Sequence, residues 1–482
     1  MRSAFTARVT TGRARQIALT FAAAAIGALA GIQGVGHPKQ AIGFGIAVVA
    51  VALLVTWLSS GGAYEQTHRW VPLAWVVLLL VTDLHLEDVG PLEIASGGVG
   101  VSHVIELTIY ASVAALILQS RRALLPLHPV PVPKGLLVAW PALAAVSAVW
   151  SPVALFSLAR AYQLLVLVAL GLLTVRIWLT DSNAGERIWR ATLRLFVRVV
   201  TVLAVLGFVL QPWTSPDSVS SRFTWPATHP GLASTYLGVA FIVLVVGGRS
   251  LTHFPAWSHW GRVGFFGAAI YLGQTRSVIG ATVLGIAVGL WIQGRRKPIV
   301  RYLGVGYYLV GIGLLAGLAT RQVFAYLSRG EDISNITSLT GRVPLWEFAI
   351  GQLNSLWTWL AGFGYDSSRT ILYPKVSWAG SAHSSWIELL IGVGVIGLLL
   401  AAMDIVVLLV HLVRSRFFAR PNELAVSLVA YLIVVAFVSE TLVIPGVGFG
   451  FLAIAHVPAL VQRGWEIRKT RTSVVSEGAG FS

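Results

Sequence analysis

Ala382-His383-Ser384-Ser385-Trp386 runs directly into Ile387-Glu388-Leu389-Leu390-Ile391 and on to Leu400, through Gly392, Gly394 and Gly397. The apolar window that opens here, 385–412, exceeds the ~20 residues a helix needs to cross the hydrocarbon of a bilayer. A polar, aromatic lip carrying one histidine comes immediately before a membrane helix. That placement makes the lip a candidate for chemistry at the membrane surface.

Working outward, the lip is preceded by Thr340-Gly341-Arg342, a Trp/Phe-rich segment from Leu345 to Leu360, and Gly362-Phe363-Gly364-Tyr365. Trp346, Phe348, Ile350, Leu353, Leu356, Trp357 and Leu360 recur at helix-compatible spacing. The spacing predicts one amphipathic helix over 343–360, lying in the membrane interface or packed against the bundle.

The whole chain agrees with a membrane setting. It has 482 residues, 56% hydrophobic and 11% charged, with mean hydropathy +0.78, where soluble chains carry about 25% charged residues. Apolar windows fall at 17–36, 41–60, 69–83, 101–119, 135–150, 155–178, 195–211, 231–248, 262–274, 277–293, 300–319, 385–412, 423–443 and 447–462. The expectation is an all-α polytopic membrane protein of about 14 spans (12–14). The first window follows Arg2, Arg8, Arg13 and Arg15 and is too long for a signal-peptide core, so it is taken as an uncleaved span. The organisation expected is N-terminal helices over 1–134, a core over 135–412 with an outer loop 320–384, C-terminal helices over 413–462, and a disordered basic tail over 463–482.

Net charge +16 does not point to nucleic acid, because the basic residues sit in short clusters between apolar runs. With a cytoplasmic N-terminus, 26 of the 35 Lys and Arg fall on the inner side. The nine on the outer side are Lys39, Arg160, Arg222, Arg276, Arg321, Arg329, Arg342, Arg369 and Lys375. Such asymmetry is the positive-inside pattern. It puts both termini in the cytoplasm and the 320–384 loop, between spans 11 and 12, outside. Nucleotide-activated substrates are normally absent there.

Four outer residues stand out. Arg222 lies in Ser221-Arg222-Phe223-Thr224-Trp225-Pro226, ahead of His229-Pro230-Gly231. Arg276 lies in the tight break Gln274-Thr275-Arg276-Ser277, Arg342 follows Gly341, and His383 opens span 12. Arginine between apolar segments is expensive and marks a site by default, though it also snorkels to the interface. Its planar fork suits phosphate oxygens, and histidine is a general base near neutral pH. Glu388, five residues after His383, is carried as an orienting group acting through a water, or as a bond within the bundle. His103 and Glu106, three apart, pair with each other or form a proton relay, and Glu440 near the end of span 13 is ambiguous in the same way. Asp83-Leu84-His85-Leu86-Glu87-Asp88 has ligand types for a divalent ion but is taken as a solvated acidic loop. No Asp-x-Asp lies on the outer side and no phosphate-loop motif occurs, so no metal and no cofactor are expected.

Taken in order, these features resemble the O-antigen ligase/polymerase superfamily, over roughly residues 135–412. The segments that carry the resemblance are Ser147-Ala148-Val149-Trp150-Ser151-Pro152, Arg222 with His229-Pro230-Gly231, Thr275-Arg276-Ser277, and Thr340-Gly341-Arg342 with Trp346. Gly362-x-Gly364-Tyr365 and His383 through Glu388, Gly394 and Gly397 complete the set, in the manner of the exopolysaccharide polymerases. Ser384 stands where that family usually has Asn, and Gly231 where it often has Asn. The resemblance implies an enzyme of the bacterial inner membrane working on its periplasmic or extracellular face. It would move a glycan from an undecaprenyl-diphosphate carrier to an acceptor sugar hydroxyl, without metal and with inversion. His383 would then be the base, and Arg222, Arg276 and Arg342 would hold the diphosphate. The partners implied are the lipid-linked donor, a glycan or lipid-linked acceptor, and the bilayer. A flippase of lipid-linked oligosaccharides is the competing reading.

Overall fold

The computed structural model describes residues 63–82, 101–124, 136–210, 222–225, 228–294, 341–373, 381–414 and 419–478, with isolated positions at 302, 306 and 313. Every regular element among the described residues is helical. The apolar windows 17–36 and 41–60, most of 300–319, the acidic loop 83–88 and the loop residues 320–340 lie outside them.

In chain order the helices are α1 (Ala63–Val81), α2 (Val101–Leu124) and α3 (Ala139–Val146, flanked by 3-10 turns Leu136–Val138 and Ser147–Trp150). Next come α4 (Ala154–Thr180), α5 (Ser182–Leu210), α6 (Pro230–Val245), α7 (Gly248–Thr252), α8 (Ala256–Leu272) and α9 (Arg276–Gly294). The C-terminal half holds α10 (Arg342–Gly351), α11 (Leu356–Ala361), α12 (Ser368–Leu372), α13 (Ser385–Arg414), α14 (Ala419–Ala436) and α15 (Val447–Gly478). Among the described residues, six helices are long and apolar enough to cross a membrane: α2, α4, α5, α9, α13 and the first part of α15. The protein is membrane-embedded on that evidence. Trp70–Val81, Leu136–Trp150 and Pro230–Val245 are shorter apolar helices.

α4 is the central pillar. It packs against α1, α2, α3, α5 and α15, and Leu164, Leu167 and Leu170 on it are fully buried. α9 and α14 pack against each other along their lengths. Gly285 and Gly289, four apart, let α14 approach, so that a Cβ on Gly285 would meet Ser427 O at 3.0 Å and Tyr431 Cβ at 3.1 Å. Small residues at such spacing are how membrane helices come together without a hydrophobic drive. The Ser427 hydroxyl adds a bond to Gly285 O. α13 and α15 are joined by a buried polar pair, His456 Nε2 to Asp404 Oδ1 at 3.1 Å.

Three expectations are corrected. The segment 343–360 is two helices, because the chain turns at Leu353-Asn354 and Ser355 starts α11 with a capping box on Thr358. The basic tail is helical as far as Gly478, since a helix already nucleated in the bundle extends at little cost. Finally, the helix under window 423–443 stops at Ala436, which leaves Glu440 in the connection to α15.

Candidate functional site

His383 sits in a loop clamped on three sides. Its backbone is left-handed, φ 50°, a conformation rare outside glycine though less so for His than for most residues. Ser381 Oγ accepts the His383 N–H at 3.3 Å. Glu388 Oε2 accepts the Ala382 N–H at 3.2 Å, while the Trp346 indole N–H bonds Ala382 O at 2.8 Å. On the other side, Ser385 N–H and Oγ–H both donate to Ser439 O, at 3.0 and 2.7 Å. A strained residue persists only where its surroundings over-determine it, and here they do.

The imidazole faces a carboxylate. His383 Nδ1 lies 3.7 Å from Glu440 Oε2, with the two side chains 33% and 24% exposed. That exceeds a formed hydrogen bond, and catalytic contacts are often this loose before substrate tightens them. Burial pushes the Glu440 carboxyl up, but His383 and the Ser381 hydroxyl beside it outweigh burial and bring it down to about 2. Arg342, the first residue of α10, joins the same group. Burial lowers its pKa, and the Glu440 charge opposes that shift. Arg342, His383, Glu440 and Ser381 therefore form one cluster drawn from three segments.

Arg276 and Arg222 reach the same end of the bundle by another route. α9 and α14 run antiparallel, because Gly285 meets Tyr431 while Gly289 meets Ser427. The N-terminus of α9, Arg276, is thus level with the C-terminus of α14. That is where Ser384 Oγ bonds Ala436 O and Ser385 bonds Ser439. Phe223 N–H donates to Leu272 O at 3.2 Å, fixing Arg222 beside the end of α8. Thr275 Oγ1 donates to Ser234 Oγ at 2.9 Å, closing the α8–α9 turn onto α6. His229 caps α6, with Nδ1 accepting from the Gly231 N–H at 3.1 Å.

Beneath the lip, segments distant in sequence meet. α13 is broken at Gly394, φ 69°, and the freed carbonyls of Ile391 and Gly392 accept the N–H groups of Phe363 and Gly364, both at 2.8 Å. In a bilayer, irregular backbone survives only when its polar groups are met inside the protein. Ser147 Oγ then accepts the Tyr365 N–H at 2.9 Å, Trp150 Nε1–H bonds Ala361 O at 3.3 Å, and the Tyr365 hydroxyl bonds Val443 O. Gly364 is required because a Cβ there would fall 2.6 Å from Ser151 Cα.

A buried charge network continues from this loop. Arg160 Nη1 bonds Glu106 Oε2 at 2.9 Å and Gln163 Oε1 at 3.1 Å, and Arg160 Nε lies 3.7 Å from Asp366 Oδ2. Asp366 also faces Arg369, at 3.5 Å, and both arginines stack on the Phe156 ring. Glu106 is therefore engaged by α4, while His103 meets Phe156 edge-on. Sequence reasoning missed Asp366 and assigned Glu440 no partner. The available signal for Asp366 was its place directly after Gly364-Tyr365, three residues before Arg369.

The cluster offers an imidazole backed by a carboxylate, partly open to solvent, with arginine cations at the same end of the bundle. Among the described residues no group of three His, Cys, Asp or Glu side chains is placed to hold a metal ion. No family model, no curated protein and no solved structure matches the chain.

Proposed function

We propose that this protein is a membrane glycosyltransferase of the O-antigen ligase/polymerase type. It moves a glycan from an undecaprenyl-diphosphate carrier to an acceptor sugar hydroxyl on the outer face of a bacterial inner membrane. The observation that carries the reading is the His383–Glu440 pair, 3.7 Å apart, in a clamped loop beside Arg342. Arg276 and Arg222 lie at the same end of the bundle.

In this reading His383 takes the proton of the acceptor hydroxyl as its oxygen attacks the anomeric carbon from the face opposite the carrier. The sugar–diphosphate bond breaks with inversion, and the diphosphate leaves with the bonding pair. Glu440 orients the imidazole and stabilises its charged form. Arg222, Arg276 and Arg342 bind the diphosphate and balance the charge it gains, a fixed electrostatic contribution that is often the largest in catalysis. Cleavage of the donor supplies the driving force, and neither ATP nor a metal is called for.

A second reading, a flippase of lipid-linked oligosaccharides, is favoured by one observation. Helices broken at depth beside buried charges, like α13 at Gly394 above the Arg160 network, are also a transporter device. The two readings separate in a deletion strain. A lost transferase leaves carrier-linked repeat units on the outer side of the membrane, and a lost flippase leaves them inside. Complementation with His383→Ala protein that inserts normally yet makes no product supports the transferase; wild-type product from it rejects the assignment. Polymerase is preferred over ligase for the exopolysaccharide-type closing motif, and single repeat units on the acceptor would mark its loss.

A further inference from the structure

At the end of the bundle away from the His383 loop, two arginines from different helices converge on one ring. The Arg198 guanidinium carbon lies 5.7 Å from the centre of the Phe254 ring, and that of Arg262 lies 4.3 Å from it. Arg198 is on α5 and Arg262 on α8, while Phe254 sits between α8 and α7, which packs on α5. Leu272, the last residue of α8, accepts the Phe223 N–H beside Arg222, so the start of α8 lies at the opposite end of the bundle from the His383 loop. Arg194 joins from one turn earlier on the same face of α5.

Few acids oppose this charge. Arg190 is paired with Glu186, but among the described residues no carboxylate pairs with Arg194, Arg198 or Arg262. Of the helices packed on α5, α4, α6 and α7 contain no Asp or Glu, and α1 contains one, Glu65. Arg262 Nη1 donates to Ser258 O at 3.1 Å, yet Arg262 Nε, Arg194 Nε and His259 Nδ1 are buried with no hydrogen-bond partner among the described residues. His259, one turn before Arg262, is 3% exposed. Buried polar atoms are nearly always satisfied, and each exception calls for an explanation. An aromatic face attracts a cation but carries no net charge to balance two of them.

The surroundings say which anion fits. Trp257 and Trp260, in the first turns of α8, are 81% and 64% exposed, and tryptophan on the surface of a membrane bundle marks headgroup depth. Beyond Arg198, α5 exposes Val202, Val205, Leu206 and Val209 at helical spacing, an apolar strip that starts at the cation. We propose that Arg194, Arg198 and Arg262 bind the headgroup phosphate of an anionic phospholipid in the leaflet opposite the His383 loop, with its acyl chains along the strip 202–209. Guanidinium forks match phosphate oxygens in pairs, and basic pockets between membrane helices are where anionic headgroups dock. A free phosphate would satisfy the arginines but has no use for the strip. The lipid would tie α5 to α8, on the side that the charge asymmetry predicts to be cytoplasmic.

The test needs no glycan substrate, so it stands or falls separately from the glycosyltransferase reading. The full-length protein, purified in detergent at a single pH, is melted against rising phosphatidylglycerol, phosphatidylcholine of the same acyl chains, or inorganic phosphate. Phosphatidylglycerol should raise the melting temperature over phosphatidylcholine, saturably, because a ligand that binds only the folded state stabilises it by mass action. Arg198→Gln and Arg262→Gln should each move the midpoint about fivefold to higher lipid, the worth of one basic residue near an anionic membrane surface. Arg414→Gln, which removes an exposed charge at the same end of the bundle on α13, should leave the midpoint where it is. Should the Arg262 variant fail to fold, because its side chain also bonds Ser258, the exposed Arg198 carries the test alone. Equal melting in the two lipids, a midpoint unmoved by Arg198→Gln, or an equal shift from Arg414→Gln overturns the proposal. So does stabilisation by inorganic phosphate that phosphatidylglycerol does not exceed, which would assign the arginines to a free anion.

Discussion

His383 Nδ1 lies 3.7 Å from Glu440 Oε2, so the candidate base finds its carboxylate on the α14–α15 connection. Its neighbour on α13, Glu388, holds the Ala382 backbone at 3.2 Å instead. The two acids divide the work: one faces the ring, the other fixes the strained loop that carries it.

Glu440 should reveal itself in stability against pH. Its carboxyl is brought from 4.5 to about 2 in the folded protein. A depressed acid stabilises above its unfolded pKa and loses that contribution as pH falls through the folded value. Thermal melts of wild type should therefore steepen downward from about pH 4.5 to about pH 2, and Glu440→Gln should flatten that limb. Identical pH slopes for the two proteins would reject the pairing.

His383→Ala should insert and purify normally yet lose about 100- to 10,000-fold in glycan transfer, the usual worth of a general base. Arg276→Ala and Arg222→Ala should each cost on the order of 100- to 1,000-fold if they stabilise the leaving diphosphate. Lysine at these positions should recover little, because the planar fork is lost while the charge is kept. Rates measured on purified protein with a lipid-linked donor decide the matter, and lysine variants that work at wild-type rate would remove the bidentate role.

The spans along single helices were legible because hydropathy records burial locally. Window 155–178 answers to α4 at Ala154–Thr180, and 277–293 to α9 at Arg276–Gly294. The apolar window over α5 opens only at 195, although the helix starts at Ser182. Its first turns are amphipathic, with Arg190 paired to Glu186 and Asp181 accepting the N–H groups of Asn183 and Ala184. Hydropathy is blind to such a start, whereas the Asp-Ser cap was readable. The residues of the candidate site were legible as types, but their partners were not. Glu440 meets His383 because Ser385 ties the start of α13 to Ser439 in the α14–α15 connection, and Asp366 meets Arg160 where the Gly362–Tyr365 loop threads onto the break in α13. No local periodicity encodes that contact.

The break itself can be tested by adding one methyl group. A Cβ on Gly394 would lie 2.2 Å from Leu360 O, at φ 69°, so Gly394→Ala must displace α11 or straighten α13. Backbone strain alone is of order 1–3 kcal/mol, and the lost carbonyl partners of Phe363 and Gly364 add to it. Gly280→Ala on α9 meets open space and serves as the control, expected to be neutral or slightly stabilising. Size-exclusion profiles and melting temperatures of both variants check this, and a Gly394→Ala protein as stable as the control would contradict the geometry.

Arg160 is 7% exposed and serves two carboxylates on different segments, Glu106 on α2 and Asp366 ahead of α12. Arg160→Met removes their shared cation while leaving both acids buried, a change that typically costs about 3–5 kcal/mol. The penalty should fall mainly on Glu106, because Asp366 retains Arg369 at 3.5 Å. Adding Glu106→Gln to Arg160→Met should therefore restore part of the loss, since the second substitution removes a buried charge that has lost its 2.9 Å bond to Arg160. The opposite pairing, Arg160→Met with Arg369→Met, leaves Asp366 without any cation and should be worse than either single variant. Thermal melts of wild type, Arg160→Met, Glu106→Gln and the Arg160→Met/Glu106→Gln double variant make a double-mutant cycle. Losses in the Arg160–Glu106 pair that simply add would mean the two side chains do not interact, which the 2.9 Å bond between them forbids.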